Sequence, residues 1–275
     1  MIVSHLSRAL TAGLLALAAL LAMPALLSGC SSTRTKPGAA DASGEQLYRE
    51  AHEELNSGAW DRAIQLYQRV EGLAAGTLLA QQAQLDMAYA QWRSGDRTTA
   101  LATVDRFVKL NPSSPALDYA MYLRGMINFN EDLGPLGKLA GQRLSERDQR
   151  GARDAWQSFK QLVDQFPDSR YADDARVRMD FIVNSLAEYE VNVARYYLRR
   201  GAYVAAANRA QQALAEYSQS PSVEEALAIM VQSYDKLGLV SLRDDAERVL
   251  RKNFPHSTYL AGAAPANDKP WWKFW

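Results

Sequence analysis

The sequence predicts an all-α protein, a solenoid of five helix pairs preceded by a cleaved signal peptide. From Glu45 onward the chain is rich in Ala, Leu, Gln, Glu and Arg and has no long β-branched run, a composition typical of helices. Along this part a glycine followed five residues later by alanine recurs, and so does a helix-ending proline with a serine two residues after it. Recurrence at a fixed spacing predicts stacked structural repeats.

Residues 1–29 predict the signal peptide of a bacterial lipoprotein. Arg8 precedes an apolar segment, and Leu27-Ser28-Gly29-Cys30 matches the lipobox at which such peptides are cleaved. Cys30, the only cysteine of the chain, is then acylated and anchors the mature protein in the membrane. Ser31 follows it rather than Asp, which in similar lipoproteins permits sorting to the outer membrane. The alternative is an uncleaved membrane helix, but Pro24 interrupts a segment that is marginal against the ~20 residues of a span.

Composition excludes several classes of function. Lys+Arg and Asp+Glu both number 31, so the net charge is zero and no basic surface for nucleic acid is expected. The histidines His5, His52 and His256 are far apart in the sequence, and no nucleotide-binding or hydrolase motif occurs. We therefore predict no metal, no cofactor and no catalytic residue. Residues 30–43 are small and polar and predict a flexible tether.

The helix pairs follow from the turn residues. Segments 58–63, 95–100 and 201–206 each begin with a turn glycine and end with an alanine small enough for a close helix contact. This pattern resembles the tetratricopeptide repeat. The spacing of 37 residues between Gly58 and Gly95 is longer than the usual repeat of about 34 residues. In the last repeat Arg243 occupies the alanine position, so its packing is expected to differ.

The predicted helix ends define the boundaries of the helix pairs. A proline ends a helix because it lacks an N–H, and the serine after it is expected to cap the next helix. Within a solenoid over 44–257 the predicted pairs are 45–75, 78–111, 115–166, 170–218 and 221–254. The third pair is interrupted by an insert over 130–150 that contains several glycines. Long inserts in compact repeats are usually functional or disordered.

The first helices of such repeats line a groove that binds peptides or partner domains. The repeat register places there Tyr48, His52, Tyr89, Trp92, Arg93, Tyr119, Tyr122, Met126 and Phe129. Aromatic residues and arginine are the types that dominate interface energies, so we predict a partner groove. Packing between helices remains the alternative, above all for Trp92 and Phe129.

Two further surfaces are candidates for binding. Around the fourth pair, Arg195, Arg200 and Arg209 lie among tyrosines, which predicts either a docking surface or a solvated face. The tail over 258–275 carries Trp271, Trp272 and Trp275, which could insert at a membrane interface, dock on a partner or fold back on the last helix.

A lipobox cysteine followed by five such pairs resembles the BamD (ComL, YfiO) family of outer-membrane lipoproteins. The most specific segments are Tyr122-Leu123-Arg124-Gly125, the insert ending near Arg147-Asp148, residues 166–171, and residues 194–209. The tryptophan-rich tail has no counterpart in the common pattern.

The resemblance implies a non-enzymatic scaffold of the β-barrel assembly (BAM) complex on the periplasmic face of the Gram-negative outer membrane. In that family the C-terminal repeats dock on a POTRA domain of BamA, and Arg200 and Arg209 match positions implicated in that contact. The N-terminal repeats receive segments of BamC, another BAM lipoprotein, and of nascent outer-membrane proteins. A terminal aromatic could stack in the groove described above while Arg93 meets its carboxylate.

Two rival functions remain open at this point. The chain could be another periplasmic repeat adaptor, for cell division or peptidoglycan enzymes. It could instead be an enzyme such as a lytic transglycosylase with a helical solenoid, but only about 20 residues follow the last repeat and no paired acidic site is evident.

Replacing Cys30 with Ala removes the predicted acylation site and should release the protein from membrane fractions. Fractionation and immunoblotting measure this, with Ser31→Ala as the neighbouring control that should stay bound. A Cys30→Ala protein that remains in the membrane would show that another segment or a partner holds it there.

Overall fold

The computed structural model describes residues 37–129 and 149–261, and their side chains from Ser43 onward. The signal peptide, Cys30, most of the tether, insert residues 130–148 and the tail from 262 lie outside the described residues. Within these ranges ten α-helices and a terminal 3₁₀ helix follow one another, and no strand occurs. The all-α class predicted from the sequence is confirmed.

Successive helices form the pairs of the solenoid. The helices are α1 (Pro37–Ser57), α2 (Trp60–Leu73), α3 (Leu78–Arg93), α4 (Arg97–Leu110), α5 (Leu117–Asn128), α6 (Gln149–Gln165), α7 (Ala172–Arg199), α8 (Tyr203–Glu216), α9 (Val223–Lys236) and α10 (Val240–Asn253), followed by the 3₁₀ helix (Thr258–Ala261). Each helix packs mainly against its neighbours in sequence, as expected for a repeat array. Helix α1 begins at Pro37, so it extends into the segment that we predicted as tether.

The turn glycines have the conformation that the repeat requires. Gly58 has a φ of 81°, in the left-handed region that costs glycine little. The amide of Ala59 then donates to the carbonyl of Glu54, which closes the end of α1 in a Schellman turn. The same arrangement recurs at Gly95, Gly201 and Gly238.

The alanines that follow these turns are fully buried, as the close helix contacts require. They are Ala63, Ala100 and Ala206; Ala155 of the third pair, which follows the insert and not such a turn, is fully buried as well. In the fifth pair Arg243 instead forms ion pairs with Asp235 and Asp244, and α10 buries only Ala246 and Leu250. The packing of the last helix is therefore thinner, which suits the end of a stack.

The serines between pairs play a different role from the predicted one. Ser114 lies two residues before the N-cap of α5, and its hydroxyl accepts a hydrogen bond from the amide of Ala116 at 3.3 Å. The same contact to the amide two residues on is made by Ser169, Ser220 and Ser257. These serines shape the turn ahead of the helix rather than capping it.

Helix α7 is the longest of the fourth and fifth pairs, with 28 residues. Its N-terminal part, including Ile182 and Leu186, shares a core with α6. Its second half, including Val191 and Ala194, shares a separate core with α8 and α9. The N-terminal and C-terminal parts of the solenoid are therefore joined through one continuous helix.

Gly125 allows α5 and α6 to cross closely. A Cβ at this position would lie 2.6 Å and 2.7 Å from the Cδ1 and Cζ atoms of the buried Phe159 ring. Gly125→Ala should therefore lower the free energy of unfolding by about 1–3 kcal/mol, the usual cost of overpacking. Urea denaturation followed by circular dichroism measures this.

The matched control for this substitution is Gly72→Ala. Gly72 is also helical, but no atom lies within 4 Å of a Cβ built there. That change should be neutral or stabilise by about 0.5–1 kcal/mol. Equal effects of the two substitutions would contradict the role of Gly125 in the helix crossing.

Candidate protein-binding surfaces

The first surface, here called the groove face, is formed by α1, α3, α5 and the first half of α7. Its centre is Asp86 of α3, whose carboxylate accepts hydrogen bonds from Tyr48 Oη at 2.6 Å and from Gln82 Nε2 at 3.1 Å. The Tyr48 contact joins the first helices of two consecutive repeats. Tyr48 also packs against His52 and Tyr67, with ring centroids 6.2 Å and 5.7 Å away.

Burial dominates the electrostatics at this centre. It raises the pKa of Asp86, although the hydrogen bonds from Tyr48 and Gln82 and the charge of His52 act in the opposite direction. Burial together with the Asp86 charge also raises the pKa values of Tyr48, Tyr67 and Tyr119. The tyrosines therefore remain neutral hydrogen-bond donors at any physiological pH.

A second cluster joins α5 to α7 on the same face. Tyr122 Oη donates to Asp174 at 2.6 Å, and Arg178 Nε donates to the same carboxylate at 2.6 Å. Partial burial opposes ionisation, but these two hydrogen bonds outweigh it and lower the pKa of Asp174. The ring of Tyr171 stacks on Tyr122 with centroids 4.9 Å apart, and the Arg170 guanidinium lies 4.7 Å from the centroid of the Tyr171 ring.

Arg93 lies at the end of α3 and is exposed. Its guanidinium is 5.1 Å from the Trp60 ring centroid, and it donates to Tyr89 Oη at 2.9 Å. The hydrogen bond to Tyr89 uses one of its five N–H donors, so four are left for an outside acceptor. Trp92 points into the core that contains Leu85 and Phe107, so it packs between helices.

One of the predicted groove residues does not line the groove in the structure. Phe129 is only 7% exposed and belongs to the core of α5, α6 and α7, so its prediction as a groove contact is wrong. It meets edge-on the ring of Phe181, which is 48% exposed. The sequence reasoning also missed Asp86, Tyr171 and Asp174, because it followed aromatic residues at repeat positions and gave no weight to carboxylates between them.

The second surface lies on the C-terminal repeats, and here too one prediction is wrong. Arg195 is 6% exposed and forms a bidentate pair with Glu225, with distances of 2.6 Å and 2.8 Å. It fastens α7 to α9 and is not available for docking. Arg200, by contrast, is exposed and lies 5.8 Å from the Tyr196 ring centroid.

Arg209 both forms an internal ion pair and remains partly exposed to solvent. Its Nη1 atom is 2.9 Å from Glu190, which is 1% exposed and lies between the two cores that share α7. The Arg209 side chain itself is 40% exposed, so it can still meet a partner. The turns of the fourth and fifth pairs also expose apolar residues: Val204, Leu239, Val240 and Leu242.

Other site types find no support in the described ranges. No cluster of His, Cys, Asp or Glu there could hold a metal ion. None of the helices there is both long and apolar enough to cross a membrane. An open pocket of about 310 Å³ lies beside α6, α7 and the end of α8, between Trp156 and Tyr217. Trp271, Trp272 and Trp275 lie outside the described residues.

Comparison with known proteins identifies relatives along most of the chain. A family model described as YfiO, outer membrane lipoprotein, matches residues 40–250. The outer membrane protein assembly factor BamD of Neisseria meningitidis strain Z2491 is 46% identical over 253 residues, which is 90% of this chain and 95% of that protein. The protein of the same name from Xylella fastidiosa strain Temecula1 is 39% identical, covering 90% of this chain and 84% of that protein.

The matches among solved structures are more distant. The MamA protein is 16% identical with a TM-score of 0.32, and covers 82% of this chain and 98% of its own. A putative kinesin light chain of Podosopora anserina with nearly identical TPR-like repeats is 16% identical with a TM-score of 0.34, and covers 78% of this chain and 97% of its own.

Arg209→Glu should destabilise the protein, because it places a second carboxylate beside the buried Glu190. We expect a loss of about 3 kcal/mol in the free energy of unfolding, the low end for breaking a buried pair, since Arg209 is partly exposed. Chemical denaturation measures this.

Two variants test the cause of this destabilisation. Adding Glu190→Gln to Arg209→Glu should restore most of the lost stability, because the repulsion between carboxylates disappears. Arg200→Glu, on an exposed cation of the same surface, should change stability by less than about 0.5 kcal/mol. Failure of Glu190→Gln to restore stability would contradict the pairing.

Proposed function

Because this chain belongs to the YfiO family of outer membrane lipoproteins, we propose that it is a BamD-type subunit of the machinery that assembles β-barrel proteins in the outer membrane. The observation that carries the proposal is the 46% identity to an outer membrane protein assembly factor over 90% of the chain. An adaptor for cell division or peptidoglycan enzymes is not favoured by these relatives.

The protein acts by binding and not by catalysis. In this proposal Cys30 is acylated and holds the chain on the periplasmic face of the outer membrane. The solenoid then offers two surfaces with different chemistry, the groove face on the N-terminal repeats and the surface around Arg200 on the C-terminal repeats.

The groove face receives extended partner segments, namely parts of nascent outer-membrane proteins and of BamC. Its half-buried tyrosines and the exposed ring of Phe181 are rigid, amphipathic anchors of the type that dominates peptide recognition. Phe181 takes the place that we first assigned to Phe129. Arg93 can bind a carboxylate at one end of the face, since Tyr89 occupies only part of its guanidinium.

The surface around Arg200 and Arg209 docks on a POTRA domain of BamA. Arg200 is exposed and Arg209 is partly exposed, and the fourth and fifth pairs also expose Val204 and Leu239, so this part of the solenoid offers both cations and apolar side chains to a partner. Arg195 contributes indirectly, because its pair with Glu225 fixes α7 against α9.

Affinity purification of the full-length lipoprotein from detergent-solubilised envelopes tests the proposal as a whole. A POTRA-bearing barrel protein should copurify in stoichiometric amount. Copurification of peptidoglycan or division enzymes without a barrel assembly protein would support the rival adaptor function instead.

Arg200→Glu should weaken binding to the BamA periplasmic region by about tenfold, because it reverses an exposed charge that no other described residue needs for folding. Calorimetry or surface plasmon resonance measures the affinity. Arg248→Glu, on another exposed arginine in α10, is the matched control and should leave the affinity unchanged. Equal affinities of all three proteins would contradict docking through Arg200.

A further inference from the structure

Asp86 is unusual among the buried charged groups of the described residues. It is 9% exposed, yet its carboxylate is held only by neutral donors, Tyr48 at 2.6 Å and Gln82 at 3.1 Å. No lysine or arginine in the described parts of the chain forms an ion pair with it, and the basic side chain that acts on it is His52.

Glu190, the other buried acid of the described residues, has a cation, and so do the half-buried Glu225 and the exposed Asp174. Glu190 is paired with Arg209, Glu225 with Arg195, and Asp174 with Arg178. Each of those arginines comes from the same chain and satisfies its carboxylate in the folded state. Asp86 is the buried carboxylate for which the described fold supplies no such partner.

Keeping this charge without a cation costs stability. Burial disfavours the ionised form, and two neutral hydrogen bonds compensate for it only in part. A carboxylate offers about four lone-pair positions, and Tyr48 and Gln82 use two of them. Capacity therefore remains on Asp86 for a further donor that approaches from the groove face.

The surroundings of Asp86 suit a cation. Tyr48 of α1 lies at hydrogen-bond distance from the carboxylate, and Tyr119 belongs to α5, which also contacts α3. Tyr48 and Tyr119 are half-buried, and Gln82 and His52 are exposed, so the cluster opens to solvent on this side. Tyrosine faces attract ammonium and guanidinium groups, and the attraction grows when the site is desolvated.

We propose that Asp86, with Tyr48, Tyr119 and Gln82, forms a pocket on the groove face that receives a lysine or arginine side chain of an extended partner polypeptide. This Asp86 pocket deepens the proposed function and rests on it, since it specifies what the groove face reads in the segments that it binds. The aliphatic stem of the side chain lies along the tyrosine rings, and its charged end binds the free lone pairs of Asp86.

The groove face then binds two groups of opposite charge on the same partner segment. Arg93, at the end of α3, binds a carboxylate, whereas Asp86, seven residues earlier on the same helix, binds a cation. Seven residues are two helical turns, about 10 Å along the axis, which an extended peptide spans in about three residues. A basic residue about three positions from an acidic group or a chain terminus is therefore the preferred pattern.

Fluorescence anisotropy with the full-length protein in detergent micelles tests the pocket. The probes are labelled extended peptides with an aromatic C-terminus that are identical except at the third residue from the end, which is lysine, arginine, norleucine or glutamate. Norleucine keeps the stem of lysine and lacks its charge. We expect the lysine and arginine peptides to bind about tenfold more tightly than the norleucine peptide, which corresponds to about 1.4 kcal/mol.

Asp86→Asn keeps the size of the side chain and an acceptor for Tyr48, and it should abolish the preference for lysine over norleucine. Asp245→Asn, on an exposed carboxylate of α10 that lies outside the groove face and pairs with Arg248, should retain the preference. Thermal unfolding checks each variant, and if Asp86→Asn does not fold, the comparison of peptides on the unaltered protein decides.

Equal binding of the lysine and norleucine peptides to the unaltered protein would overturn the Asp86 pocket while leaving the groove face as a peptide site. A lysine preference that persists in folded Asp86→Asn would overturn it as well. Absence of binding by every peptide would reject both the pocket and the groove face as a receptor. If the barrel assembly protein still copurifies in that case, the peptide site is rejected but the proposed assembly function stands.

Discussion

The structure depends on helix α7 being one continuous helix of 28 residues that serves two hydrophobic cores. Its first half completes the core of the third pair, and its second half begins the core of the fourth and fifth pairs. Since neighbouring repeats stabilise one another only by contact, this helix provides the main mechanical link between the two ends of the solenoid. A single long helix holds the groove face and the C-terminal surface in a fixed relation, which separate short helices would not do.

The boundary between the two cores contains a buried charge rather than an apolar contact. Glu190 lies on α7 between Ala187 of one core and Val191 of the other, and Arg209 reaches it from α8. A buried ion pair contributes little net stability compared with apolar packing, but it strongly penalises arrangements in which one partner is missing. The pair therefore fixes the angle at which α8 meets α7, and it does so with a residue that is also partly open to solvent.

The two surfaces use charge differently. On the C-terminal repeats most arginines are already engaged, as Arg195 is with Glu225, so only those on the rim remain for a partner. On the groove face the situation is reversed, because Asp86 is buried without a cation while the tyrosines around it donate hydrogen bonds or offer their rings. Proteins commonly accept such local losses of stability at sites that bind, since the missing interaction is supplied by the ligand.

The sequence alone determined the all-α class, the pairing of helices and the turn positions, because glycines at Gly58 and Gly95, buried alanines and helix-ending prolines act locally and recur. It also indicated the family, through specific segments such as Tyr122-Leu123-Arg124-Gly125 and residues 194–209. It could not tell Arg195 from Arg200, or Phe129 from Phe181, because residues on one helix differ in exposure only once other helices pack against them. The tertiary structure decided these, and it alone brought Asp86 together with Tyr48, 38 residues away, and left that carboxylate without a cation. Charge pairing across helices depends on distances between repeats, which no local pattern encodes.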